Sequence, residues 1–340
     1  MNNLRFFLPL LSFVLALTTA CQGNGSAADG NTDSLAAAKD TVFLPKDDAD
    51  LHLALTQTLE SLPYFYADAH GLFARHGVKV RVHSFAAQFD ADTALLGTTA
   101  QVGTTDLVRL NLYQHQHRKP LQPVHATNGN WLLIANNKER IKQTSKLTER
   151  QVATARYSAS DYYSLLALQE AKLTYDDIFH PQVNDYHVRL QMLLQHQVDA
   201  AVLPEPFASR AIQAGHTRLY ATQEKGVALV GCLAARQDWA KLSASQKHLD
   251  HLKAAYNEAV QTINKEGLTA VRDILVKEYG MDTLSLHRLR LPRYEAAREP
   301  NNAAKEAAQQ FFSARSRRRE RVVFASYLTF LLFYNGFIGL

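Results

Sequence analysis

One stretch constrains this chain more than any other: Val198-Asp199-Ala200-Ala201-Val202-Leu203-Pro204-Glu205-Pro206-Phe207-Ala208. Val198 and Ala200 to Leu203 form a short apolar run, as a strand covered on both faces does. Pro204 and Pro206 fix the backbone on either side of Glu205, and Pro206 suits the first turn of a helix. That helix runs through Ala208 and Ile212 to Gly215, which suits a C-cap. The spacing predicts a strand, turn and helix of a layered α/β fold. It sets Glu205 at the carboxyl end of a strand, where open α/β sheets hold their ligands.

Two further segments share this character. The first is Pro63-Tyr64-Phe65-Tyr66-Ala67-Asp68-Ala69-His70-Gly71-Leu72-Phe73-Ala74-Arg75-His76-Gly77-Val78-Lys79-Val80. The second is Ala94-Leu95-Leu96-Gly97, followed by Ala100-Gln101-Val102-Gly103-Thr104-Thr105-Asp106. In order and spacing the three segments resemble the solute-binding proteins of ABC importers for nitrate, sulfonates, taurine and thiamine-type pyrimidines. The resemblance runs from about Asp50 to Ser313. It implies a periplasmic-binding-protein-like fold of type II, with two α/β lobes joined by a two-strand hinge. Residues 42–128 plus 229–314 would form lobe 1, and residues 129–228 lobe 2. It also implies a small-molecule solute as ligand, and ABC permease and ATPase subunits as partners.

Both termini read differently from the body. Arg5, the apolar run Phe6 to Leu17, and Thr18-Thr19-Ala20-Cys21 resemble a lipoprotein signal over residues 1–20. Cys21 would then carry the lipid that holds the chain to a bacterial membrane on its extracytoplasmic side. An ordinary signal peptide or a membrane anchor that contains a cysteine is the alternative. Residues 21–41 are rich in Gly, Ser, Asn, Asp and Ala and read as a flexible tether. At the other end, the arginine-rich run 315–321 precedes Val322 to Leu340, which holds no charge and is long enough to span a bilayer. Arginines on the outer side oppose the positive-inside tendency. The tail therefore reads as a fused or frame-shifted fragment, as a second anchor, or as a surface-binding segment.

Charge follows from the same division. The chain carries a formal +5; Arg5 accounts for +1, and five arginines against one glutamate in the tail account for +4. Residues 21–314 are thus formally neutral, which argues against a nucleic-acid surface. Cys232 is the one cysteine besides Cys21, so the body holds no disulfide of its own. It lies in the apolar run 227–234 and reads as a buried thiol.

Strands are expected at 51–55, 78–82 and 100–103, with helices at Tyr64 to Arg75 and Asp90 to Leu96. Leu121 to Asn136 reads as extended chain broken near Asn128-Gly129-Asn130, and Gly226 to Arg236 as another extended run. Loops at the carboxyl ends of such strands supply the candidate ligand residues. Pro63, Tyr64 and Phe65 either wall the pocket or pack the first helix on the sheet. Thr104, Thr105 and Asp106 either hold a polar ligand group or cap a helix. Ser158 and Asp161 fit a capping box, while Ser158 and Ser160 also face a prospective ligand. Glu205 either accepts from N–H or cationic ligand groups or caps its own helix. Asn128, with Asn130 and Trp131, stands near the first crossing.

Catalytic and cofactor motifs do not emerge. The sequence has no G-x-S-x-G, Walker A or G-x-G-x-x-G motif, and its histidines do not cluster as a metal site does. Neither cofactor nor catalytic residue is expected. The expected activity is capture and delivery of a small organic solute, with a thiamine-type pyrimidine ahead of an organic sulfonate. The alternatives are an enzyme on the same scaffold, of the pyrimidine- or menaquinone-pathway type, and a ligand-sensing module.

Overall fold

A computed structural model describes residues 48–97, 99–117 and 121–318. Cys21, the signal-like segment, the whole tether and the apolar tail lie outside the described residues. Among the described residues, no helix is long and apolar enough to cross a membrane.

The strands are β1 (Leu51–Thr56), β2 (Val80–Phe85), β3 (Val102–Asp106), β4 (Leu121–Ala126), β5 (Trp131–Ala135), β6 (Val152–Ala153), β7 (Ala200–Pro204), β8 (Thr217–Ala221) and β9 (Gly231–Arg236). They form two mixed sheets. One has the order β2-β1-β3-β9-β4 and the other β6-β7-β5-β8. This is the two-lobed α/β fold of periplasmic binding proteins. The chain passes between the sheets twice, from β4 to β5 and from β8 to β9.

β1 runs parallel to both β2 and β3, so the carboxyl ends of β1 and β3 share one edge of the five-stranded sheet. In the other sheet β7 is antiparallel to β5, and Pro204 at the end of β7 pairs with Trp131 at the start of β5. These two edges supply the candidate site. Apolar side chains hold each sheet in place. Leu132, Leu133, Ile134, Val202 and Leu203 lie buried in one cluster. Leu53, Leu55, Val102 and Leu233 lie in another, against the long helix Ser243–Glu266. That helix buries Leu249, Leu252, Tyr256, Val260 and Ile263 at helical spacing.

Three local expectations need correction. The first helix is two pieces, Leu62–Ala69 and Leu72–Arg75, parted at Gly71, whose φ of 63° is left-handed. β2 lies two to three residues later than the apolar alternation places it. β3 extends through Asp106, because Thr104, Thr105 and Asp106 pair with Leu233, Cys232 and Gly231 of β9. Tertiary pairing overrides the local pattern there.

Candidate ligand-binding site

A small cavity lies where the two lobes meet. Thr56, Thr58, Glu60, Gln88 and the end of β3 line it from the five-stranded lobe. Trp131, Ala159 and Tyr186 line it from the other lobe. Its volume is about 10 Å³, near the least that admits one water molecule. An organic solute needs more room, so its entry requires the walls to part.

Glu60 is the wall residue that sequence reasoning missed. It follows Leu59 in a short 3-10 turn after β1, and it is 8% exposed. Trp131 Nε1 donates to Glu60 Oε1 at 3.0 Å, and Thr127 Oγ1 donates to Oε2 at 2.6 Å. Two glycines make the space. A Cβ on Gly129 or on Gly231 would overlap this carboxylate. Gly129 belongs to the first crossing between lobes, and Gly231 opens β9 after the second. Desolvation raises the carboxyl's pKa, and the two hydrogen bonds offset this only in part. The available signal was the pair of glycines in extended runs, which mark close backbone approach.

The end of β3 lines the same cavity. Thr104 Oγ1 lies 3.1 Å from Ser61 Oγ, and its carbonyl accepts from Gln88 Nε2 at 2.7 Å. Thr105 Oγ1 is buried without a hydrogen-bond partner. Asp106 Oδ1 accepts from the Arg109 amide at 2.9 Å. Its Oδ2 accepts from the Ala159 amide of the opposite lobe at 3.0 Å. Arg109 serves two carboxylates, with Nη1 at 3.0 Å from Asp92 Oδ2 and Nε at 3.5 Å from Asp106 Oδ2. Attraction from its acidic neighbours outweighs burial at Arg109, whose pKa rises. At Asp106 the balance reverses: desolvation outweighs Arg109 and the two amides, and the carboxyl is raised to about 6.

Other expected site residues stand apart from this cavity. Tyr64 is fully buried; its hydroxyl bonds His125 Nε2 and its ring packs on Tyr256. Phe65 packs edge-on against Tyr279. Pro63 is buried in the first turn of its helix. All three take the packing alternative rather than walling the cavity. Asn128 Oδ1 accepts from the Glu295 amide at 3.0 Å. Glu205 Oε2 accepts from the Ser209 amide at 2.9 Å, a cap for helix Phe207–Gln213, while its carbonyl accepts from the Leu59 amide across the lobes.

At the helix Ala159–Glu170, Ser158 caps as expected by accepting from the Ser160 amide. Ser160 Oγ accepts from the Ala155 amide at 2.9 Å. Asp161 does not close the box. It accepts from the amide of Tyr157 at 2.8 Å and from Tyr175 at 2.7 Å. Arg315 Nε donates to it at 3.2 Å, so this buried carboxylate turns from the cavity toward the helix 302–318. Cys232 is a fully buried free thiol, which burial pushes well up.

Residues 58–207 match the model of the family described as NMT1/THI5 like. This segment is NMT1/THI5-like. It contains the turn with Glu60, the end of β3, the start of helix Ala159–Glu170 and the Pro204-Glu205-Pro206 turn. No curated protein matches the chain in sequence. Among solved structures this chain is similar to the periplasmic aliphatic sulphonate binding protein SsuA from Escherichia coli. The identity is 18% and the TM-score 0.65, over 79% of this chain and 92% of that one. The periplasmic nitrate-binding protein NrtA from Synechocystis PCC 6803 is similar at 16% identity and a TM-score of 0.62, over 75% and 74%. The desulfurization enzyme DszB shares the fold at 12% identity and a TM-score of 0.58, over 78% and 92%.

Proposed function

We propose that this chain is the solute-binding component of an ABC import system. It captures a small organic solute of the thiamine-type pyrimidine or organic sulfonate class and hands it on unchanged. Its partners are the permease and ATPase subunits, and its place is the extracytoplasmic face of a bacterial membrane, held there through Cys21. The observation that carries the reading is the cavity itself. Side chains from both lobes converge on it, and the strands of the two sheets are joined by two crossings, β4 to β5 and β8 to β9. Lobes joined in this way can hinge, and a ligand touching both favours the closed arrangement. The likeness to SsuA and NrtA, whose names describe binding proteins, supports the same reading.

The test is calorimetric titration of the full-length protein with aminopyrimidines, alkanesulfonates, taurine and nitrate, with product analysis of each mixture. Saturable binding with the probe recovered intact is the expected result. The likeness to DszB favours a second reading, an enzyme on this scaffold. A bound probe recovered as a different compound would establish that reading instead.

A further inference from the structure

The cleft already holds an anion of its own. Helix Ala159–Glu170 directs its first amide at β3, and the occupant of that amide is Asp106 Oδ2 at 3.0 Å. Free amides at a helix start attract negative charge, so this position suits an oxyanion. A carboxylate from the opposite lobe has taken it. Arg109 does not leave this corner positive, because it divides its guanidinium between Asp92 and Asp106.

Two observations independent of the helix define what remains. Glu60 lines the same cavity, and both of its hydrogen bonds come from neutral donors, the Trp131 indole and the Thr127 hydroxyl. Thr105 Oγ1, on a residue 4% exposed, lines it too and has no hydrogen-bond partner. The described lining thus contains two carboxylates and no Lys, Arg or His. Buried carboxylates call for N–H or cationic partners.

We propose that Asp106 pre-empts the anion position at the start of helix Ala159–Glu170, so that the cleft rejects oxyanions. It selects a nitrogen solute rich in donors, a protonated amine or an N–H-bearing heterocycle, held by Glu60 and Asp106 with the Thr105 hydroxyl alongside. This deepens the carrier reading above and rests on it. Of the cargo classes named there, the aminopyrimidine side is retained and the sulfonate side is set aside.

The experiment titrates full-length protein at neutral pH with an aminomethylpyrimidine, ethanesulfonate, nitrate and inorganic sulfate. The wild type should bind the pyrimidine at least about tenfold more tightly than any of the oxyanions. Asp106→Ser should lose about tenfold or more of that affinity and gain measurable sulfate and ethanesulfonate binding through the released amide. A wild type that prefers ethanesulfonate or nitrate overturns the inference and leaves the carrier reading standing. So does a folded Asp106→Ser that acquires no oxyanion affinity. A wild type indifferent to the pyrimidine overturns the inference as well. Chemical conversion of a bound probe, by contrast, strikes the carrier reading. Should Asp106→Ser not fold, the order of affinities in the wild type decides alone.

Discussion

Glu60 Oε1 and Trp131 Nε1 lie 3.0 Å apart, and that bond joins the turn after β1 to the first strand of the four-stranded sheet. Around it, Gly129 and Gly231 leave the space that the carboxylate fills. The packing at the two crossings is therefore set by a residue far from either in sequence.

Gly231→Ala should destabilise the fold by about 1–3 kcal/mol, since its methyl would overlap a buried carboxylate. In a Glu60→Ala background the same change should cost less without vanishing, because the methyl would still meet Thr127 Oγ1 at 2.5 Å. Urea midpoints of the four proteins give the coupling. An equal cost in both backgrounds would mean that the glycine is needed for another reason.

Removing Arg315 should expose the weakness of a buried charge. Asp161 is fully buried and takes the Arg315 Nε at 3.2 Å, while the guanidinium also lies 4.2 Å from the centre of the Tyr175 ring. Arg315→Ala should cost about 2–4 kcal/mol, less than the loss of a wholly enclosed pair because Arg315 stays partly open to water. Arg315→Lys should recover only part of this, for it keeps the charge but loses the planar stack. Stability measured by denaturant titration decides; a cost under about 0.5 kcal/mol would place the pair with surface salt bridges.

Stability should fall in mild acid. Burial holds His125 and His180 at about 4 in the folded chain, against an ordinary 6.5. The unfolded chain then binds protons that the folded chain refuses. Their contribution is complete above pH 6.5 and drains as the pH falls toward 4. Asp106 opposes the trend: its carboxyl is raised to about 6, so its protonation favours the fold as pH falls from 6 toward 3.8. Glu60, Asp68 and Glu205, whose carboxyls burial also raises, oppose it too, while His187 and His216, lowered by burial, add to it. The melting temperature should decline in the upper part of that window, where the histidines titrate in the unfolded chain. His180→Asn should flatten the decline, and an unchanged slope would remove His180 from the account.

Tyr64→Phe should lower stability by about 1 kcal/mol, the worth of one buried hydroxyl bond to His125. Solute affinity should stay within about threefold, because the ring lies in the core of its lobe and not on the cavity wall. A tenfold loss of affinity without a loss of stability would restore the pocket-wall role.

Much of this architecture was legible in the sequence. The apolar run before Pro204, the break at Asn128-Gly129-Asn130 and the extended run ending at Arg236 correspond to β7, the β4–β5 crossing and β9. Each of these is fixed by hydrophobic period and by glycine or proline, which act locally. Thr105 and Asp106 were singled out because strand ends attract ligands, and they line the interlobe cavity although they form the end of β3 itself. Glu60 escaped notice because a single glutamate beside Leu59 has the signature of any surface turn. Its burial arises only when residues 127, 129, 131 and 231 arrive from elsewhere. Tyr64 and Asp161 show the converse: a residue type suited to a pocket is equally suited to a core, and only its partners tell the two apart.

The size of the interlobe cavity has a practical consequence. A mould of about 10 Å³ describes no organic cargo. Searching for guests by shape against that volume would return only water-sized answers. The chemistry of the walls is the better guide, and screening libraries for this protein are best sorted by charge and donor count, with molecular outline left to the last.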